Sequence, residues 1–167
     1  MLTPNYRIGN GIDIHPLKKG KKLILGGVEL DHDFGCEGHS DGDVLVHSII
    51  DAVLGALNKG DIGSHFPSSD NSYKDISSLE LLRKVTLQHY PFSIINIDST
   101  IILQEPLVGS YIPAIRKNIL RILSDSRAIP KEGYDNISIK ATTTDKLGFI
   151  GNKEGVAAIT TCLLTVK

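Results

Sequence analysis

At 167 residues, with 41% hydrophobic and 22% charged side chains, the chain has the size and composition of one globular domain, residues 1–167. A domain of this length buries about 70% of the surface its unfolded chain exposes, so no disulfide is needed for it to fold. A net charge of −1, 5% aromatic residues and no tryptophan exclude the basic field and the base-stacking platform of a nucleic-acid binder.

In chain order, residues 7–14 read as a strand, with Ile8, Ile12 and Ile14 on one face and Asp13, followed by His15, on the other. Residues 22–28 read as a second strand, ended by Gly26 and Gly27, and residues 31–42 as a glycine-rich acidic loop. Residues 43–58 are predicted as a helix, because Val46, Ile49, Ile50, Val53, Leu54 and Leu57 recur at three- and four-residue steps. Residues 59–78 are a long polar stretch, of the kind that is functional or disordered inside a compact domain. A helix is predicted over 79–89, with Leu79, Leu82, Val85 and Thr86 inward, a β-branched strand over 94–104, and a helix over 113–123 started by Pro113. Residues 137–142 and 156–166 read as strands. The pattern is a two-layer α/β domain of about four main strands with helices on one face.

Cys162 lies in an apolar run and reads as core, and Cys36 as a passive loop thiol. No run of about 18 apolar residues marks a membrane span. The first residues lack the charged and apolar regions of a signal peptide. The expected location is the cytoplasm, or a plastid-type organelle if a transit peptide has been removed.

Three pieces carry chemistry. On a strand, Asp13 and His15 point the same way, and His47 near the start of a helix completes a set of one carboxylate and two imidazoles. Three protein ligands with an open position are the arrangement of a catalytic zinc; the plain alternative is two ordinary histidines and a solvated aspartate. Asp51, one turn beyond His47, either fixes the ring of His47 or is an exposed helix charge. The second piece is His39-Ser40-Asp41-Gly42-Asp43, where Ser40 and Asp41 are natural helix caps and the helix start is also an anion site. The third is Thr142-Thr143-Thr144-Asp145 leaving a strand toward Gly148 and Gly151. Its hydroxyls either serve strand and turn or cradle a phosphate, with Asp145 offering an oxygen to Mg²⁺. Together these point to metal-assisted chemistry on a phosphorylated small molecule.

The segments Gly-Ile-Asp-Ile-His (11–15), His-Ser-Asp-Gly-Asp-Val-Leu-Val-His (39–47), Gly-Asp-Ile-Gly (60–63) with Phe66-Pro67, and Lys-Ala-Thr-Thr-Thr-Asp-Lys-Leu-Gly-Phe (140–149) resemble the 2-C-methyl-D-erythritol 2,4-cyclodiphosphate synthase family in order and spacing. The resemblance implies an enzyme, a phosphorus–oxygen lyase of the non-mevalonate isoprenoid pathway. It converts 4-diphosphocytidyl-2-C-methyl-D-erythritol 2-phosphate to the cyclic diphosphate and CMP. It implies a ferredoxin-like four-stranded sheet with helices on one face, assembled as a homotrimer with sites at subunit interfaces. By the same resemblance Asp13, His15 and His47 bind one Zn²⁺, and Asp145 a second cation, Mg²⁺ or Mn²⁺, on the diphosphate. His39 and Thr143 stabilise the transition state. Ser40, Asp61, Ile62, Gly63, Phe66, Pro67, Ser68, Ser69 and Asp70 line the methylerythritol side. Thr142, Thr144, Phe149 and Asn152 match further substrate-binding positions. Leu103, Gln104, Glu105, Pro106, Leu107, Val108 and Gly109 form the cytidine-contacting segment.

The chain departs from the family at some positions. Asp145 stands where Glu is usual, one methylene shorter, a gap that a water on Mg²⁺ can bridge. Leu107 stands where Lys is frequent. Asn152 and Ile12 replace a common Arg and a frequent Phe, which speaks against an anionic isoprenoid in a central trimer cavity. Two other functions fit the same residues: a metal-dependent phosphohydrolase using metal-bound water, and a non-catalytic trimeric nucleotide-binding module.

Overall fold

The computed structural model describes residues 5–38, 40–130 and 133–166. Its first strand, β1 (Asn5–Lys19), runs well past the isoleucine alternation of residues 7–14 because its partner does. That partner, β7 (Gly155–Val166), pairs antiparallel with β1 from Asn5 opposite Val166 to Pro16 opposite Gly155. On the other side of β7 lies β5 (Phe92–Ile102), antiparallel, with a bulge between Ile94 and Asn96. At the far edge β6 (Ile137–Thr142) pairs parallel with β5.

Two expectations need correction. Residues 22–28 are not one strand but most of a hairpin, β2 (Leu23–Leu25) and β3 (Val28–Leu30). Gly26 and Gly27 take φ of 57° and 70°, the left-handed pair that a two-residue hairpin turn requires. The loop 31–42 contains a short strand, β4 (Phe34–Cys36), which pairs with the end of β1, Leu17 opposite Cys36. The main sheet therefore has five strands in the order β4-β1-β7-β5-β6, not four.

Three helices cover one face of this mixed α/β sheet: α1 (Val44–Leu57) lies across β1 and β7, and α4 (Ile112–Asp125) packs on β6. Between those two helices sits α3 (Ser78–His89). Ile49, Ile50, Val53 and Leu54 of α1 meet Ile97, Ile101 and Cys162 of the strands in one buried core, each large aliphatic side chain contributing about 1.5–3 kcal/mol. The opposite face is uncovered: Ile8 is 72% and Ile12 56% exposed, beside Tyr6, Ile14 and Ile159.

α1 rests directly on β1 because two glycines leave room for it. A Cβ on Gly9 would stand 1.8 Å from the Ala52 carbonyl oxygen, and one on Gly11 2.0 Å from that of Ser48. The cap of α1 is Asp43, not Ser40 or Asp41. Its carboxylate accepts from the Val46 amide at 3.1 Å and from the Gly27 amide at 2.7 Å, tying the hairpin turn to the helix start. Burial and the neighbouring Asp41 charge push the Asp43 carboxyl up to about 6, while the Gly27, Gly26 and Val46 amides pull it down. The polar stretch 59–78 is not structureless. It contains α2 (Ile62–His65), capped by Asp61, and a single 3₁₀ turn, Asn71–Tyr73, capped by Asp70.

Candidate active site

At the end of β1 nearest the start of α1, Asp13 and His15 face the helix and meet His47. Asp13 Oδ2 lies 2.8 Å from His15 Nε2 and 3.0 Å from His47 Nδ1. The three ligand atoms lie within 4.8 Å of one another. Burial pushes the Asp13 carboxyl up, but the hydrogen bonds and charges of His15 and His47 outweigh it and hold the group well below the usual carboxylate range. Burial alone would lower His47, yet Asp13, Asp43 and Asp41 raise it. Without a cation, one carboxylate is thus shared by two imidazole nitrogens. One oxygen and two nitrogens converging on one point, partly open to a cavity, are a donor set that fits a zinc-type cation with a position free for a ligand oxygen.

The far side of His47 is held from an unexpected direction. Its Nε2 lies 2.9 Å from Ser78 Oγ and 3.0 Å from Ser40 Oγ. Asp51, one of whose two sequence readings made it the partner of this ring, instead accepts from the Ile62 amide at 2.7 Å and so anchors α2. Ser78 and Asp41 were missed as site residues because cap-type residues before a helix have an ordinary explanation. Burial, with the charges of Asp43, Asp13 and Asp41, pushes the Cys36 thiol up to about 12.

The trio opens on a cavity of about 220 Å³ that Ser40, Ile62, Gly63, Phe66 and Ser68 also line. Tyr73 and Leu81 complete its wall; nothing in their spacing singled them out. The other expected residues of this region are engaged in local structure as well. Asp61 accepts from the Ser64 amide and hydroxyl, and Asp70 from the Ser72 amide. Pro67 supplies the carbonyl that accepts from the Asp70 amide, and Ser69 is exposed beside it. His39 lies outside the described residues.

A second cavity, of about 330 Å³, is walled by Leu103, Pro106, Leu107, Val108 and Gly109 together with Thr142 and Thr143. Gln104 and Glu105 fasten this loop to the following turn: Gln104 Oε1 accepts from the Lys146 amide at 3.1 Å, and Glu105 pairs with Lys153 at 2.7 Å. Asp145 is exposed in that turn, where it and Lys146 take positive φ, and the Thr144 hydroxyl donates to the Leu147 carbonyl. Phe149 is half exposed against Gly155, and Asn152 ends the short helix α5 (Gly148–Gly151).

The two cavities share no lining residue. Register places His15 opposite Val156, and Ile102 between Ala157 and Thr142, so both sit at one end of the sheet. β7 lies between them, a separation of roughly 10 Å across the sheet from β1 to β5, with β6 beyond. Among the described residues no helix is long and apolar enough to cross a membrane.

Residues 6–165 match the model of the YgbB family. A relative from Halothermothrix orenii, named 2-C-methyl-D-erythritol 2,4-cyclodiphosphate synthase, is 52% identical over 161 residues, 95% of this chain and 93% of that one. Among solved structures, an IspF–CDP complex from Plasmodium falciparum superposes with a TM-score of 0.82 at 36% identity, covering 99% of each chain. The bifunctional IspDF of Campylobacter jejuni superposes with a TM-score of 0.89 at 38% identity over 99% of this chain, which spans 43% of that longer one.

Proposed function

The chain belongs to the YgbB family, the 2-C-methyl-D-erythritol 2,4-cyclodiphosphate synthases, and on that premise we propose how its residues divide the reaction. The enzyme makes 2-C-methyl-D-erythritol 2,4-cyclodiphosphate in isoprenoid biosynthesis. Its substrate is 4-diphosphocytidyl-2-C-methyl-D-erythritol 2-phosphate. An oxygen of the 2-phosphate forms a bond to the β-phosphorus, the β-phosphorus–oxygen bond toward CMP breaks, and CMP leaves with the electron pair, which makes the enzyme a phosphorus–oxygen lyase.

No side chain needs to act as a base. A phosphate monoester has its second pKa near about 6, so the attacking oxygen is already charged at neutral pH. The obstacle is repulsion: two unit anions about 4 Å apart repel by about 1 kcal/mol in water and several-fold more in a dry site. Asp13, His15 and His47 would hold Zn²⁺, and Asp145 a second cation, Mg²⁺ or Mn²⁺; when bound, these would supply positive charge to offset the repulsion. The side chains do the rest. Ser40, Asp61, Ile62, Gly63 and the segment 66–70 bend the methylerythritol end into the first cavity. The segment 103–109 holds the cytidine in the second. Thr142, Thr144, Phe149 and Asn152 orient the diphosphate, and His39 and the Thr143 hydroxyl donate to the charge that develops on it. Folding one molecule so that its own phosphate is poised for attack contributes on the order of 7 kcal/mol.

The subunit is ferredoxin-like, a single domain over residues 1–167, and works in the cytoplasm as a homotrimer. The uncovered isoleucine face of β1 and the separation of the two cavities support this assembly, because a neighbour can bring its second cavity to the first. The observation that carries the reading is the converging Asp13 Oδ2, His15 Nε2 and His47 Nδ1 at the mouth of a cavity. Turnover in ¹⁸O-water tests it. Cyclisation yields CMP and cyclic diphosphate free of label; label in either product means a water attacked, and the protein is a phosphohydrolase.

A further inference from the structure

Behind the ligand trio runs a hydrogen-bonded chain that none of the roles above uses. Ser78 opens α3 and is fully buried, at 0% exposure. The Asp41 carboxylate accepts from the Ser78 amide at 3.0 Å and from the Ser78 hydroxyl. A serine hydroxyl has one proton to give. With that proton committed to Asp41, Ser78 Oγ is left to accept, and the group 2.9 Å away is His47 Nε2. His47 therefore donates from Nε2 to Ser78, and its Nδ1 faces Asp13 Oδ2, 3.0 Å distant, at the place where a cation would sit.

We propose that Asp41 and Ser78 are a positioning pair for His47, fixing its tautomer and ring angle so that Nδ1 is presented to a divalent cation. This rests on the reading of Asp13, His15 and His47 as metal ligands. Ser40 Oγ also reaches Nε2, at 3.0 Å, but Ser40 lines the cavity, where substrate competes for it. Ser78 has no exposed surface, so its hold on His47 is the same with substrate present or absent. The Asp41 amide donates to the Ile76 carbonyl at 3.2 Å, which clamps the loop before α1 to the start of α3 and keeps the pair in register. His15 has no such support: among the described residues its buried Nδ1 lacks a hydrogen-bond partner. The rigidity of the donor set thus comes from the His47 side.

The test uses the whole protein with the substitutions Ser78→Ala, Asp41→Asn and Ser40→Ala. Zinc affinity is read by competition with a chelating dye. The hydrogen bond at His47 Nε2 is read by ¹⁵N NMR of the zinc-loaded protein, a readout that a merely structural contact would not move. Wild type shows a protonated Nε2 held in a hydrogen bond. In Asp41→Asn the amide donates to Ser78 Oγ, the serine proton turns to Nε2, and the ring proton moves to Nδ1, where it blocks the cation. Zinc affinity falls about 10- to 100-fold, as for other partners of metal-bound histidines, with Ser78→Ala nearer the lower value because Ser40 can still accept. Ser40→Ala keeps both the Nε2 hydrogen bond and the affinity. Ser78→Ala retains the amide bond to Asp41, so it reports on the relay even if Asp41→Asn fails to fold. Unchanged affinity in Ser78→Ala, or a wild-type Nε2 signal that does not respond to Ser78→Ala or Asp41→Asn, overturns the pair while leaving the ligand trio standing. A wild-type protein that takes up no zinc overturns both.

Discussion

His47 divides its two nitrogens between different neighbours: Nδ1 toward Asp13 and the cavity, Nε2 toward Ser78 in the interior. Substituting it removes one of the three converging donor atoms while leaving the hydrophobic core cluster intact. His47→Ala is expected to lose bound zinc on dialysis and to slow CMP release at least about a thousandfold, which corresponds to about 4 kcal/mol of transition-state stabilisation, with the circular dichroism of the fold retained. Full activity in metal-free His47→Ala protein would remove the trio from the mechanism. The trio was legible because residues two apart on a strand share a face, a rule that needs no knowledge of the rest of the chain. The support of His47 was not. Four-residue spacing on α1 fixes which side Asp51 faces, but only packing shows that α2 brings the Ile62 amide to it. Ser78 reaches His47 across 31 positions, and no local pattern announces such a meeting.

At the scale of elements, the site exists because α1 sits on β1 with no side chain between them at Gly9 and Gly11. Gly11 shows the link between packing and chemistry most directly. A methyl group there would meet backbone on two sides, the Ser48 carbonyl at 2.0 Å and the Ala52 amide at 2.7 Å, and neither can move without lifting the helix. Gly11→Ala is therefore expected to destabilise the fold by about 3 kcal/mol, the upper range for overpacking. Because lifting α1 draws His47 away from Asp13, zinc retention falls as well. Urea titration and metal analysis check both; a stable, zinc-loaded Gly11→Ala protein would mean that the helix has slack this packing denies. The long elements were readable because each repeats its period several times. β4 and the β2–β3 hairpin were not, since three residues carry no period and their pairing is set by the Gly26–Gly27 turn and by the overhang of β1. The cap of α1 was misplaced for a related reason. Ser40, Asp41 and Asp43 are all good cap residues, and the choice falls to Asp43 because its carboxylate also satisfies the Gly27 amide.

For the whole molecule, the proposed substrate would have to reach two cavities that share no lining residue within one chain. The sequence pattern placed Ile8, Ile12 and Ile14 on the face opposite Asp13 and His15, and the fold leaves them open to solvent. Apolar residues on an uncovered sheet face are expected to be buried by copies of the same chain. If the first cavity of one subunit works with the second cavity of its neighbour, two inactive proteins can complement each other. His47→Ala keeps an intact second cavity, and Thr143→Ala keeps an intact metal trio. Co-expressed in equal amounts with different tags, they assemble at random, and about a quarter of the interfaces then combine two unaltered halves, if the assembly is a closed ring of like contacts. Mixed trimers isolated through both tags exclude the homotrimers, leaving one unaltered interface in three, and are expected to regain CMP release at about a third of the wild-type rate, although each parent is nearly inactive. Complementation must also disappear in an Ile12→Glu background, which puts a charge on the uncovered face and is expected to sediment as a monomer. Mixed oligomers no more active than their parents would show that each chain builds its site alone, and the substrate would then have to span the sheet end within one subunit.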